Sequence, residues 1–233
     1  MRSDWELRCH PAAVEAFAFE RDQPELREEL EGFIAACGEG MVLFDIGAHY
    51  GLFALTALRW SGGTARVVAV DPSAPALEVF DENMRLAGAG SRVERVRAAL
   101  SATEGEGSLL TGGAAAWNMM TQPDVPRGDA IKVPMITLDG LAARTGLVPT
   151  HVKIDVEGGE DAVLIGARGV LTRHRPIVFL ELHGGMLRKA GRSPIAVLDR
   201  LRSYGYRSFT IGGREVAPEA AAAKDVARII CRP

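Results

Sequence analysis

Ionisable side chains recur along the segment His151–Glu160 (HVKIDVEGGE), which otherwise reads as a buried strand. One parity of the segment carries apolar residues, and the other carries His151, Lys153, Asp155 and Glu157. Because side chains alternate between the two faces of a strand, these four residues are predicted to share one face. Unpaired buried charges are costly, so such a row is expected to be paired, hydrated or functional.

A second group of the same kind ends the apolar run 177–182, where Glu181 and then His183 follow PIVFL. Ligands of open parallel sheets bind at the carboxyl ends of the strands, so these two residues are expected to meet Asp155 and Glu157 there. A histidine has an ordinary pKa suited to accepting a proton. His183 is therefore one candidate base, and Asp155 is its rival or the group that fixes a hydroxyl. For Glu157, stabilisation of the next helix is an equally good interpretation.

The stretch FDIGAHYG (44–51) predicts a ligand-binding turn between a strand and a helix. Gly47 and Gly51 permit a positive φ and remove side chains that would block a ligand. The spacing matches neither GxGxxG nor a phosphate-binding loop, which lowers the case for a dinucleotide or ATP. Asp71 ends the next strand, where a carboxylate commonly accepts ribose hydroxyls, although it could instead cap the helix opened by Pro72. We therefore predict a nucleoside bound across the first two strands.

Strands and helices alternate along the chain, which predicts an α/β fold with a mostly parallel sheet and helices on both faces. The predicted strands are 41–46, 66–71, 93–100, 132–137, 150–156, 177–182, 206–211 and 226–231. The predicted helices are 11–37, divided at Pro24, then 52–60, 72–88, 138–145, 159–171 and 194–204. We divide the chain into an N-terminal helical extension, 1–40, and a main domain, 41–233.

Composition limits the classes of partner and compartment. With 233 residues and a net charge of −3, the chain offers no broad basic surface for nucleic acid. No apolar segment approaches the ~20 residues that span a bilayer, and the first residues do not resemble a signal peptide. The three widely spaced cysteines, Cys9, Cys37 and Cys231, indicate a reducing compartment. We expect a soluble, cytoplasmic protein that binds neither nucleic acid nor membrane.

The motifs together resemble the FkbM family of S-adenosylmethionine-dependent methyltransferases. The resemblance rests on FDIGAHYG, VVAVDPS, VRAALS, ITLD, KIDVEGGEDAVLIGA and PIVFLELH, and it covers about 41–211. It implies a Rossmann-like, seven-stranded class I methyltransferase sheet. It also implies O-methylation of a sugar, a glycoside or a polyketide-type compound in natural product biosynthesis.

The resemblance also implies which residues hold S-adenosylmethionine. The methionine part would be held by Asp45, Gly47, Ala48 and Gly51, the ribose by Asp71, and the adenine near Ala99 and Leu100. The chain departs from the family at His49, where Asn is usual, and at Asp71, where Glu is frequent. We assign His49 to the substrate side of the site.

For methyl transfer to a hydroxyl, we predict Asp155, His183 and Glu181 as the catalytic residues. Glu157 is predicted to contact the acceptor. Trp117 and Asn118 lie in a Gly/Ala-rich insertion that could close over the acceptor, although an ordinary surface loop is an equally good interpretation.

Three alternatives stay open. The first is an N-methyltransferase, because a neutral amine needs less help from a base. The second is a homologue that binds the cofactor without catalysis. The third is Mg²⁺ on Asp155, Glu181 and His183; we do not favour it, because no spacing typical of metal sites accompanies these ligands. The predicted partner is a small hydroxylated acceptor, and a homodimer is left open.

Overall fold

The computed structural model describes residues 7–111, 120–121 and 129–233, in which strands and helices alternate as predicted. The strands are β1 (Val42–Ile46), β2 (Arg66–Val70), β3 (Val93–Val96), β4 (Ala99–Leu100), β5 (Gly105–Thr111), β6 (Met120–Thr121), β7 (Asp129–Ile136), β8 (His151–Ile154), β9 (Ile177–Leu182), β10 (Ser208–Ile211), β11 (Arg214–Glu215) and β12 (Ala227–Arg232). The helices are α1 (Pro11–Asp22), α2 (Pro24–Ala36), α3 (Leu52–Trp60), α4 (Ala74–Leu86), α5 (Leu138–Thr145), α6 (Glu160–Ile165), α7 (Arg168–Arg173), α8 (Gly184–Lys189), α9 (Pro194–Ser203) and α10 (Pro218–Ala222).

The main sheet has the strand order β11-β10-β12-β9-β8-β1-β2-β3. The strands from β9 to β3 in this order are parallel, and β12, β10 and β11 add antiparallel pairs at one side. The sheet therefore has eight strands in the described part of the chain, not the seven that were predicted. The additional strand arises because the chain turns back after β10 at Gly212 and Gly213, which both have positive φ.

The predicted strand 93–100 is wrong as a single element. β3 pairs with β2 in the main sheet, whereas β4 pairs with β7 in a second sheet of order β4-β7-β5-β6. The chain changes sheets after Val96, because the backbone of Leu100 runs beside Ile136 and the amide of Ser101 donates to the carbonyl of that residue at 2.9 Å. Leu100 nevertheless remains buried in the main core, and Ala99 is buried in a small cluster with Val133 of β7.

The segment after β8 also differs from the prediction 150–156. The strand ends at Ile154, and the amide of Asp155 donates a last ladder bond to the carbonyl of Ile46 at 2.9 Å. The chain then turns at Glu157, a residue other than glycine with a φ of 53°. The predicted helix 159–171 is two helices, α6 and α7, that separate at Gly166, where any side chain would overlap the carbonyl of Ser101.

The two N-terminal helices share the core of the main domain. Phe33 of α2 is fully buried, and its ring lies 5.0 Å from that of Phe53 and 4.9 Å from that of Phe179. Gly32 faces the side chain of Ile230 so closely that a Cβ would require that side chain to move. Helix α2 therefore covers one face of the sheet and can contribute side chains to a site at its edge.

Within the described ranges, no helix combines the length and the apolar character that crossing a membrane requires.

Candidate functional site

A cavity of about 390 Å³ opens at the carboxyl ends of the parallel strands. This volume is within the usual range for small-molecule sites, and the location is the one expected for an open α/β sheet. All the residues predicted to hold the cofactor line it: Asp45, Gly47, Ala48, Gly51, Asp71, Ala99 and Leu100. The side chains predicted to act on the acceptor that also line it are His49, Asp155, Glu157 and Glu181.

The glycine turn brings backbone close to backbone beneath the cavity. Gly47 has a φ of 80°, and its amide donates to the carbonyl of Val70 at 2.9 Å. A Cβ on Gly47 would overlap the carbonyl oxygen of Asp155. Gly51, with a φ of 86°, forms the N-cap of α3. Glycine is required at position 47 because the backbone of the turn lies directly against the backbone of Asp155.

Asp71 joins two loops at the cavity wall. Its carboxylate accepts hydrogen bonds from the backbone N–H groups of His49 at 2.9 Å and Ser73 at 2.8 Å. Burial raises the pKa of Asp71 to about 6. The cap of α4 is Ser73, whose hydroxyl accepts from the amide of Ala76, so the interpretation of Asp71 as the helix cap is wrong. The lone pairs of Asp71 that these amides leave free can accept from a ligand.

Two buried polar atoms beside the glycine turn have no hydrogen-bond partner among the described residues: Oδ2 of Asp45 and Nε2 of His49. Burial raises the pKa of Asp45 to about 7 and lowers the pKa of His49. The ring of His49 stacks on that of Tyr50 with a centroid distance of 3.7 Å. Buried polar groups are normally satisfied, so these two atoms indicate a polar ligand in the cavity.

Lys153 is the cation at the centre of the acidic side chains. It is 2% exposed, and its Nζ lies 3.3 Å from Glu29, 3.7 Å from Glu181 and 3.8 Å from Asp155. Burial alone would lower the pKa of Lys153, but the neighbouring carboxylates outweigh burial and raise it. The lysine is therefore charged and neutralises part of the acidic cluster.

Arg228 of β12 is the second cation that pairs with the acidic side chains of the site. Its guanidinium contacts Oε1 of Glu181 at 2.5 Å and Oε2 of Glu29 at 3.4 Å. Burial, together with the charge of Asp155, raises the pKa of Glu181 to about 7. Glu29 and Glu181 are thus each shared between a lysine and an arginine.

His183 lies one layer behind the carboxylates that line the cavity. Its Nδ1 is 2.7 Å from Oε1 of the fully buried Glu160, which also accepts from the amide of Gly158. Its Nε2 is 3.8 Å from an oxygen of each of three carboxylates, those of Asp155, Glu157 and Glu181.

These carboxylates change the protonation of the site. Burial would lower the pKa of His183, but the hydrogen bond to Glu160 and the nearby carboxylates raise it to about 9. Burial raises the pKa of Glu157 to about 7. At neutral pH the imidazole is therefore protonated on both nitrogens and positively charged. Direct contact with a ligand is left to Asp155 and Glu157.

The same groups set the geometry that a metal would meet. One ligand atom from each of Asp155, Glu181 and His183 lies within 4.8 Å of the others. However, Glu181 is already neutralised by Arg228, and Lys153 lies 3.8 Å from Asp155. The donor set includes oxygen ligands that Mg²⁺ accepts, but two resident cations already occupy its surroundings.

Two further ionisable residues of the segment His151–Glu160 are buried, and two predicted residues lie outside the described part. His151 of β8 is only 8% exposed. Glu160 is the first residue of α6, and its carboxylate also fixes the ring of His183. Trp117 and Asn118 lie outside the described residues.

Sequence reasoning missed Glu29 and Arg228. A signal existed for both, since Glu29 lies on the apolar stripe formed by Leu26 and Phe33, and Arg228 interrupts the apolar run of β12. A charge in either position needs a buried partner.

The comparison with protein families places most of this site within one family. The pattern described as the methyltransferase FkbM domain matches residues 45–208. A comparison with curated proteins finds no match to the chain.

Solved structures of methyltransferases share the fold. Methyltransferase FkbM from Methylobacillus flagellatus KT has a TM-score of 0.58 at 16% identity, covering 84% of this chain and 44% of that one. The precorrin-6y C5,15-methyltransferase from Geobacter metallireducens GS-15 has a TM-score of 0.51 at 15% identity, covering 91% and 89%. An rRNA methylase from Streptococcus thermophilus has 0.52 at 11%, covering 91% and 97%. The chain spans less than half the length of the first of these proteins.

Proposed function

Because the chain belongs to the family of FkbM methyltransferases, we propose that it is an S-adenosylmethionine-dependent O-methyltransferase acting on a hydroxyl of a small molecule. The single observation that carries this proposal is the position of Asp155. Its carboxylate lines the cavity while its carbonyl touches the glycine turn at Gly47. The residue that carries the proposed proton acceptor is thus in direct backbone contact with the predicted cofactor-binding turn.

The cavity residues fit the cofactor. Asp45 has a buried oxygen without a hydrogen-bond partner in the described part of the chain, which could accept from the amino group of the methionine part. The glycine turn leaves room for the methionine part beside it. Asp71 offers acceptor capacity to the ribose hydroxyls, and Ala99 and Leu100 give an apolar surface for the adenine. When bound, the cofactor supplies an electrophilic methyl group on a sulfonium.

Asp155 is proposed as the group that orients the acceptor hydroxyl and takes its proton as the oxygen attacks the methyl carbon. The C–O bond forms as the C–S bond breaks, and the sulfur leaves as a thioether. A neutral hydroxyl is a poor nucleophile, and proton transfer to a positioned base typically contributes ~10²–10⁴-fold. Nζ of Lys153 lies 3.8 Å from Oδ2 of Asp155, so the two side chains form an ion pair beside the proposed acceptor position.

His183 and Glu181 are proposed to act through Asp155. The imidazole, fixed by Glu160, directs Nε2 towards Asp155 and Glu157, and Glu181 is held by Arg228 on the other side. Nε2 of His183 and Nζ of Lys153, each 3.8 Å from an oxygen of Asp155, favour one position of this side chain. Such positioning is a recognised source of rate enhancement.

The acidity of the cavity favours N-methylation as the second candidate. Asp45, Asp155 and Glu157 line it, and a cationic or neutral amine would be attracted to them. A neutral amine needs no base before attack, so loss of Asp155 would cost an N-methyltransferase less than an O-methyltransferase.

The test compares the parent protein with Asp155→Asn and with Asp81→Asn, a control at an exposed surface ion pair. Binding of S-adenosylhomocysteine is measured by calorimetry, and methyl transfer is measured with matched panels of hydroxylated and amine acceptors. We expect Asp155→Asn to bind S-adenosylhomocysteine within about threefold of the parent and to lose ~10²–10⁴-fold in kcat on a hydroxyl acceptor.

Three outcomes would contradict the proposal: no binding of S-adenosylhomocysteine, transfer to amines alone, or equal rates in both variants. Excess EDTA is included in parallel assays. Undiminished turnover in EDTA would eliminate the Mg²⁺ alternative.

A further inference from the structure

The order of the strands divides the cavity into two halves. Asp71 follows β2, Asp45 is the penultimate residue of β1, and these strands form the half predicted to hold the cofactor. On the other side of β8 the order continues with β9, which carries Glu181, and β12, which carries Arg228. None of the residues assigned to the cofactor lies in this second half.

Helix α2 covers the second half and is anchored there by charge. Glu29 is 6% exposed and pairs with Lys153 of β8 and with Arg228 of β12, at 3.3 and 3.4 Å. These two ion pairs join α2 to the strands of the second half.

Around Glu29, the N-terminal helices turn apolar side chains to the cavity. Phe17 and Phe19 of α1 and Leu26 of α2 line it. Phe17 is buried, but Phe19 is 62% exposed and lies near the end of α1 that leads into α2. Phe19 thus extends the apolar lining formed by Phe17 and Leu26, and a concave apolar surface of this kind can take the apolar part of a ligand.

We propose that α1 and α2 form a subsite for the apolar body of the methyl acceptor, with Phe17, Phe19 and Leu26 as its wall. The acceptor class is then amphipathic: a hydroxyl that reaches Asp155, joined to an aliphatic or aromatic portion that lies against the two helices. This inference deepens the proposed function and rests on it. A purely polar sugar would leave the side chains of Phe17, Phe19 and Leu26 without an apolar partner.

The test uses methyl, hexyl and octyl β-D-glucopyranoside, which share their hydroxyls and differ in alkyl length. Each is titrated by calorimetry, below the concentration at which it forms micelles, into protein loaded with S-adenosylhomocysteine. Burial of one methylene is worth about 0.8 kcal/mol, so affinity should rise about threefold to fourfold per added methylene until the wall is covered.

The variants are Phe19→Ser and Leu26→Ser, with Val14→Ser as the matched control. Val14 is 52% exposed on the same helix as Phe19 and does not line the cavity. We expect Phe19→Ser to weaken binding of the octyl glucoside about tenfold and to flatten the dependence on chain length. Val14→Ser should retain the affinities of the parent. Because Phe19 is exposed, its replacement should leave thermal unfolding unchanged, which circular dichroism verifies.

Affinity independent of chain length would overturn the proposal, as would equal weakening in Phe19→Ser and Val14→Ser. If S-adenosylhomocysteine does not bind, the proposed function fails instead. The glucoside titration is then repeated on unloaded protein, where the same dependence on chain length and on Phe19 still decides whether the apolar subsite exists.

Discussion

Lys153 determines the charge balance of the site, since it is the buried cation that three carboxylates share. Its ammonium also lies 4.9 Å from the ring centroid of Phe53, close enough for a favourable cation–π contact. Removing one member of a buried ionic group leaves the others uncompensated, which is the expensive way to alter such a group.

We therefore predict that Lys153→Met lowers the free energy of unfolding by about 3–5 kcal/mol, as measured by urea denaturation. The control is Lys132→Met, which removes a lysine from the exposed pair with Glu106. This change should leave the urea midpoint close to that of the parent. Equal midpoints for the two variants would show that the ion pairs of Lys153 stabilise the fold no more than the exposed pair of Lys132.

The protonation of His183 predicts how stability depends on pH. The pKa of this residue is about 9 in the folded protein, above its ordinary value of 6.5, so the folded state holds the proton more tightly. The resulting stabilisation, on the order of 3 kcal/mol, is complete below pH 6.5 and is lost as the pH rises through 9. Glu157 and Glu181, both with pKa values raised to about 7, act in the same direction at lower pH, between about 4.5 and 7.

Thermal unfolding at pH 7, 8 and 9.5 checks this prediction. The parent should lose stability over this interval, and His183→Gln should lose much less of it. An identical loss of stability with pH in both proteins would mean that the four carboxylates around His183, those of Glu160, Asp155, Glu157 and Glu181, do not stabilise its positively charged imidazolium form.

At the same scale, the sequence predicted the groups that follow the strands but not those that reach the site from elsewhere. Asp155, Glu157, Glu181 and His183 come together because parallel strands end at one edge. Glu29 arrives from a helix far away in the sequence, and no local pattern encodes which buried cation it meets. The sequence also does not signal that Glu157, one of the carboxylates near His183, has a positive φ.

Among the elements, the turn between β1 and α3 is the one with the tightest steric requirement. Gly47 and Gly63 have nearly the same φ, 80° and 78°, yet only Gly47 faces another part of the backbone, since a Cβ on Gly63 would have no atom within 4 Å. The pair therefore separates conformational strain from steric overlap.

We predict that Gly63→Ala costs about 1–2 kcal/mol of the free energy of unfolding, the strain of a left-handed alanine. Gly47→Ala should cost several kcal/mol and should also abolish binding of S-adenosylhomocysteine, because either the β1–α3 turn or the Asp155 backbone must move. Urea denaturation and calorimetry measure both effects. Similar costs for the two variants would argue against the close contact of Gly47 with Asp155.

Element prediction succeeded where apolar runs are short and bounded, and failed where pairing partners decide. β1, β2, β9 and the pair β10 and β12 were predicted close to their observed positions, because few conformations bury so many apolar residues. The predicted strand 93–100 divides because its second half pairs with β7, a long-range choice. The predicted helix 159–171 divides at Gly166 because the chain packs on Ser101, which is also distant in sequence.

For the molecule as a whole, the N-terminal helices contribute side chains both to the core and to the cavity. Phe33 packs within the core, Glu29 neutralises the site, and Phe19 borders the cavity. The family match covers residues 45–208 and so leaves both helices out.

The ion pair between Glu29 and Arg228 also has a consequence for the synthesis of the protein. A ribosome makes Glu29 early and Arg228 late, and Glu181 waits for the same arginine. Before β12 is synthesised, Lys153 is already present as a partner for the two carboxylates, but Arg228 is not. The ion pairs of Arg228 can therefore form only after the glycine turn and the Asp71 loop have been synthesised.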